Sequence, residues 1–125
     1  MADTQIVAAG ESCASTGALL DLQGCGVRHL ILDAQMLGGP IRFLEAARAL
    51  HALGCRIGSH LFVHESTHLL SILPESMPVE ALDWWNPLFE ETPQPDEDGR
   101  VAISGPGLGR TLRADTLARY GRQIA

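Results

Sequence analysis

An α/β fold of successive parallel βα units is what this sequence predicts, and three observations predict it. Short apolar runs alternate with helix-length segments through the first two-thirds of the chain. Each run ends in a residue able to do acid–base or metal chemistry: Glu11, Asp33, His60 and Glu80, spaced by 22, 27 and 20 residues. Such intervals hold a strand, a helix and two short connections, as parallel neighbours require. Finally, Ala, Leu and Gly are plentiful while only 5% of residues are aromatic, which suits helix-rich α/β packing better than a β-sandwich.

The elements follow in order. Gln5 to Ala9 is a short apolar run that reads as a buried strand, with Glu11 at its carboxyl end. Ser12 to Gln23 carries a modest helical pattern through Leu19, Leu20 and Leu22, stopped by Gly24 and Gly26. Val27 to Leu32 is the second strand, ending at Asp33. Gly38-Gly39-Pro40 breaks the chain and puts Pro40 in a first helical turn. Ile41 to Leu53 then has the clearest helical period, with Phe43, Leu44, Ala47, Leu50 and Leu53 on one side and Arg42, Glu45 and Arg48 on the other. Gly54 ends it.

Cys55 to Ser59 is a third strand ending at His60, and His64 to Leu73 a short helix stopped by Pro74. Met77-Pro78-Val79 is the fourth strand candidate, ending at Glu80. Residues 1–83 thus hold the βα units, and residues 84–125 form an extension of different character. There the apolar Trp84 to Phe89 gives way to an acidic, Pro-containing stretch, and Asp98-Gly99 reads as a hairpin turn returning through Val101 to Ile103. A Pro106-Gly107-Leu108-Gly109 loop and a terminal helix over Ala114 to Arg122 complete it.

Charge and cysteine usage narrow the function classes. The net charge is −6 and all nine basic residues are Arg, so no basic patch points to nucleic acid. A chain without Lys excludes lysine bases, Schiff bases and a P-loop lysine of its own. Cys13, Cys25 and Cys55 are odd in number and widely spaced, which argues for reduced thiols rather than a disulfide framework. Met1 to Thr4 lacks the basic, then apolar, start of a signal peptide, and no run of 18 apolar residues occurs. A soluble cytoplasmic protein with no membrane partner is the expectation.

Ligands and catalytic groups collect at the carboxyl ends of parallel strands. One carboxylate there usually means a solvated turn or a cap, but four such residues in succession form a pattern. Gly10-Glu11-Ser12, the Asp33 to Gly39 stretch, Ser59-His60-Leu61-Phe62, His68-Leu69-Leu70, Glu80 and Pro106 to Gly109 together resemble the mandelate racemase subgroup of the enolase superfamily. The resemblance runs nearly end to end but covers the second half of that family's (β/α)8 barrel. It implies four parallel βα units forming the C-terminal half of a barrel, followed by the hairpin and helix extension. The capping domain and first four strands are not represented.

What the resemblance implies about chemistry is specific. Family enzymes use Mg²⁺ held by three carboxylates to abstract the proton α to a carboxylate, through an enediolate. Glu11 would be the third metal ligand, His60 the general base or acid, Asp33 the carboxylate orienting its ring, and Glu80 a hydrogen-bonding partner of the substrate carboxylate or enediolate. The other two metal ligands and the family's lysine motif have no counterpart here, so the chain is expected to be inactive alone. A racemase or dehydratase of hydroxy or sugar acids would need either a second copy or a separate N-terminal half.

Two other readings stand beside this one. The chain could be a catalytically silent folded remnant, or a subunit completing a split barrel. His64-Glu65-Ser66-Thr67-His68 also fits the H-E-x-x-H zinc-hydrolase pattern. That pattern arises readily by chance, Pro74 shortens its helix, and no histidine follows His68 to serve as third ligand.

Overall fold

Three strands of the computed structural model lie parallel in chain order: β1 (Ala8–Ala9), β2 (His29–Leu32) and β3 (Arg56–Ser59). The structure describes residues 5–124, and the Met1 to Thr4 stretch weighed above as a signal peptide lies outside them. Between the strands run α1 (Thr16–Gly24) and α2 (Pro40–Ala52), with α3 (Val63–Ser71) after β3 and α4 (Ala114–Tyr120) near the end. No helix among the described residues is long and apolar enough to cross a membrane.

The elements form where local chemistry allows, somewhat inside the expected limits. α1 starts at Thr16 rather than Ser12 because Ser15 caps it, its Oγ accepting the Ala18 N–H at 3.2 Å. α2 begins at Pro40, whose missing N–H costs nothing in a first turn, and Gly54 follows it at φ 78°. Its buried face is Phe43, Ala46, Ala47 and Leu50, whereas Leu53 is half exposed just past the end. Cys13, Cys25 and Cys55 are all free thiols.

The expected fourth strand is reduced to one parallel bridge, Ser59 to Val79, with Met77 N–H donating to the Ile57 carbonyl at 2.7 Å. Pro78 sits between them and has no N–H to extend the ladder. The return strand of the hairpin is likewise a single antiparallel bridge, Pro95 to Val101. Asp96 closes that turn, accepting the Asp98 and Arg100 N–H groups at 3.0 and 2.8 Å.

The three-stranded sheet is two-faced. Leu30, Leu32 and Ile57 point into a core with Leu19 of α1, Phe43 and Leu50 of α2, and Leu69 and Leu70 of α3. Each such fully buried side chain contributes about 1.5–3 kcal/mol. On the other face His29 and Ile31 stay partly open to solvent. Gly10 lets β1 approach β2 closely: at φ 124°, a Cβ there would meet the Ile31 carbonyl at 2.8 Å.

Candidate active site

The register of the sheet lines up the candidate residues. Leu32 pairs with Ser59, and Ser59 is bridged to Val79. The next residues along, Asp33, His60 and Glu80, therefore occupy neighbouring positions at the carboxyl edge of one parallel sheet. Glu11 leaves the same edge two residues after β1, in a turn closed by Cys13 N–H on the Gly10 carbonyl, and is exposed.

His60 and Glu80 meet directly, with Nδ1 3.0 Å from Oε2. The same oxygen accepts the Leu61 N–H at 2.8 Å. Leu61 and Phe62 both sit in the left-handed region, at φ 51° and 45°, a conformation that costs non-glycine residues of order 1 kcal/mol each. The turn is held on three sides. Glu80 takes the Leu61 N–H, Ser66 Oγ donates to the Leu61 carbonyl at 2.7 Å, and Phe62 stacks on Trp85 at 5.4 Å.

Asp33 is buried, and its Oδ1 accepts the N–H groups of Gln35 and Met36 at 2.6 and 3.0 Å. This is a turn cap of the kind a carboxylate makes two and three residues ahead of itself. The expected Asp33–His60 pairing is thus not the contact His60 makes: the carboxylate on Nδ1 is Glu80. Sequence reasoning missed this because Asp33 and Glu80 flank His60 equally in register, and only side-chain geometry separates them.

The His64 to His68 pattern is spent on packing. His64 Nε2 donates to the Glu91 carbonyl at 3.1 Å, and its ring tilts against Phe89. His68 Nδ1 donates to the His64 carbonyl at 2.8 Å. Glu65, 3% exposed, is ion-paired with Arg110 at 2.5 Å, and Gln35 Nε2 stands 3.4 Å from the same oxygen. A hydrolytic zinc site needs two free imidazoles and a free carboxylate facing one ion, and these three face elsewhere.

Arg110 was not foreseen as structurally important. It joins the loop after Gly109 to α3 through Glu65, and its guanidinium lies 4.8 Å from the centre of the Phe89 ring. The only sequence hint was a single Arg directly after Pro106 to Gly109. Gly109 itself packs on α3, where a Cβ would stand 2.8 Å from His68 Cε1. Nearby, Glu91 accepts the Thr111 hydroxyl at 2.8 Å and the Thr111 N–H at 2.6 Å, which hold its carboxyl below the ordinary range.

Mg²⁺ prefers six hard oxygen ligands. At this edge Asp33 and Glu80 are engaged as described, which leaves Glu11 as the open carboxylate. Among the described residues no group of three or more His, Cys, Asp or Glu could hold a metal ion. Glu11 alone does not make a Mg²⁺ centre.

A family model described as enolase C-terminal domain-like matches residues 2–116. The chain is similar in structure to L-talarate dehydratase from Polaromonas sp. JS666, complexed with Mg and L-glucarate. The identity is 32% and the TM-score 0.82, over 89% of this chain and 31% of that one. L-talarate/galactarate dehydratase from Salmonella typhimurium LT2, liganded with Mg and L-lyxarohydroxamate, is 29% identical with a TM-score of 0.81, over 89% and 29% of the two chains. An enolase from Bradyrhizobium complexed with magnesium and mandelic acid is 26% identical, TM-score 0.81, over 90% and 31%. The chain spans roughly a third of the length of these relatives.

Proposed function

The chain belongs to the enolase C-terminal domain-like family, and from that premise we propose that it supplies the second half of a (β/α)8 barrel that abstracts the proton α to a carboxylate. The substrate class is a hydroxy acid or sugar acid, and the reaction a racemisation or a dehydration through an enediolate. The observation that carries this reading is the row of Asp33, His60 and Glu80 at one sheet edge, with His60 and Glu80 in direct contact. His60 is the acid–base group, Glu80 the partner of the substrate carboxylate or enediolate, and Asp33 the carboxylate that shapes the adjoining turn. An imidazole beside a carboxylate suits proton transfer near neutral pH.

The same reading requires completion from outside the chain. Parallel sheets are normally covered on both faces, yet the face carrying His29 and Ile31 is left partly open, as are Ile6 and Val7 beside β1. A second copy or an N-terminal half would cover that face and bring the further oxygen donors that Mg²⁺, present in the relatives' structures, needs beside Glu11. Without them the chain is catalytically silent.

The test is co-expression with the N-terminal half of a family member. Deuterium exchange at the α-carbon of mandelate and of glucarate is then followed by NMR with and without Mg²⁺. Exchange that disappears in His60→Asn supports the reading. A correctly assembled complex that exchanges neither substrate refutes it.

A further inference from the structure

Two consecutive non-glycine residues with left-handed backbone follow His60 directly, and one aromatic contact holds the second of them. We propose that Trp85 is a positioning residue for His60. Its stack on Phe62 keeps the left-handed turn closed, so the C-terminal extension helps to build the catalytic edge. The inference rests on His60 being the acid–base group, as argued above, and concerns what holds that residue in place.

His60 is tethered differently on its two sides. Its N–H donates to the Leu32 carbonyl at 2.9 Å, a bond that continues the ladder between β2 and β3. Its carbonyl side runs straight into Leu61 and Phe62, at φ 51° and 45°. Such a turn relaxes towards negative φ when released, because the left-handed region crowds a Cβ against the backbone. α3 cannot follow that relaxation, since it starts at Val63 and is fixed in the core through Leu69 and Leu70. The change falls on His60, the link between two fixed elements, and turns its side chain away from the edge.

The contacts that oppose relaxation divide the turn between them. Glu80 Oε2 and Ser66 Oγ both act on Leu61, one on its N–H and the other on its carbonyl. Phe62 is the N-cap of α3 but makes no side-chain cap hydrogen bond. Its carbonyl accepts the Ser66 N–H at 2.9 Å, a helical bond that any residue there would make. What is particular to Phe62 is the Trp85 ring, 5.4 Å away and inclined by 19°, a stacked pair that adds to plain burial. Strained backbone persists only where its surroundings over-determine it, and two strained residues leave the closed turn modestly favoured. Trp85 lies outside the core and is 37% exposed, so its replacement leaves the fold intact.

Amide hydrogen exchange on the isolated chain reads the turn without activity. In Trp85→Leu the Leu61 and Ser66 amides, both bonded across the turn, should exchange about two- to tenfold faster, the worth of one aromatic pair. The His60 amide, held by the sheet, keeps its rate. Trp85→Phe restores the wild-type rates, and Trp84→Leu, at a neighbouring side chain 67% exposed, leaves them unchanged. In the complex with an N-terminal half, kcat for α-proton exchange falls about twofold or more in Trp85→Leu while KM holds. Unchanged Leu61 exchange overturns the proposal, as does equal acceleration at His60, which marks general loosening. Faster Leu61 exchange with an unaltered kcat overturns it too. A wild-type complex that exchanges no substrate refutes the proposed chemistry alone, and the amide rates still decide whether Trp85 holds the turn.

Discussion

Removing Arg110 strands the buried Glu65 carboxylate without its counter-charge. The Glu65 side chain is 4% exposed and that of Arg110 25%. Of the two Glu65 oxygens, Oε1 takes Arg110 and, at 3.4 Å, the Gln35 amide; Oε2 is buried with no partner. In Arg110→Leu the carboxylate keeps one long hydrogen bond and no counter-charge. Breaking one side of a buried pair costs about 3–5 kcal/mol, and the partial exposure of Arg110 places this pair near the lower end. Against a total stability of about 5–15 kcal/mol, the C-terminal extension should loosen from α3 first. Urea unfolding followed by the fluorescence of Trp84 and Trp85 should show the midpoint falling by about 1–3 M. The double variant Glu65→Leu, Arg110→Leu should recover most of the loss, because it leaves no charge to strand. A single variant costing under about 1 kcal/mol, or a double variant no better than the single, would show that water reaches Glu65 and that the pair does not clamp the extension.

Three further outcomes are expected of the protein. Gly109→Ala combines φ 63° with a Cβ that collides with the Ser104 carbonyl and the His68 ring. It should cost about 2 kcal/mol or more, seen as a lower Tm in calorimetry, and an unchanged Tm would refute the packing of that loop on α3. The Glu91 carboxyl is held below its ordinary range by Thr111, so its stabilising effect is complete above the unfolded value of about 4.3 and is lost as pH falls through the lower folded value. Glu91→Gln should therefore unfold earlier than the wild type at neutral pH, with the gap closing as acid is added; a gap independent of pH would refute the linkage. Mg²⁺ titrated into the isolated chain should not saturate at roughly millimolar concentration, since one exposed carboxylate is a poor site. Calorimetric saturation abolished by Glu11→Gln would show instead that the chain builds a metal centre alone.

Much of the architecture was legible in the sequence, because hydrophobic periodicity and glycine or proline punctuation are local properties. Phe43, Ala47 and Leu50 marked the buried face of α2, and the regular spacing of Glu11, Asp33, His60 and Glu80 marked one edge of a parallel sheet. Strand lengths were less legible. The Met77 to Val79 run looked like a strand, yet Pro78 has no N–H to donate and the pairing shrinks to the single Ser59–Val79 bridge.

Helix–strand alternation and the edge at which polar residues gather follow from local patterns in the sequence. Tertiary structure alone decided what each polar group touches. Asp33 and Glu80 are equivalent by register, and a few ångströms of side-chain placement make one a turn cap and the other the partner of His60. The same holds for Glu65, which in sequence belonged to a zinc pattern and in space belongs to Arg110, forty-five positions away in the chain. Hydrogen bonds and ion pairs act over about 3 Å, and spacing along a chain does not specify distances that short.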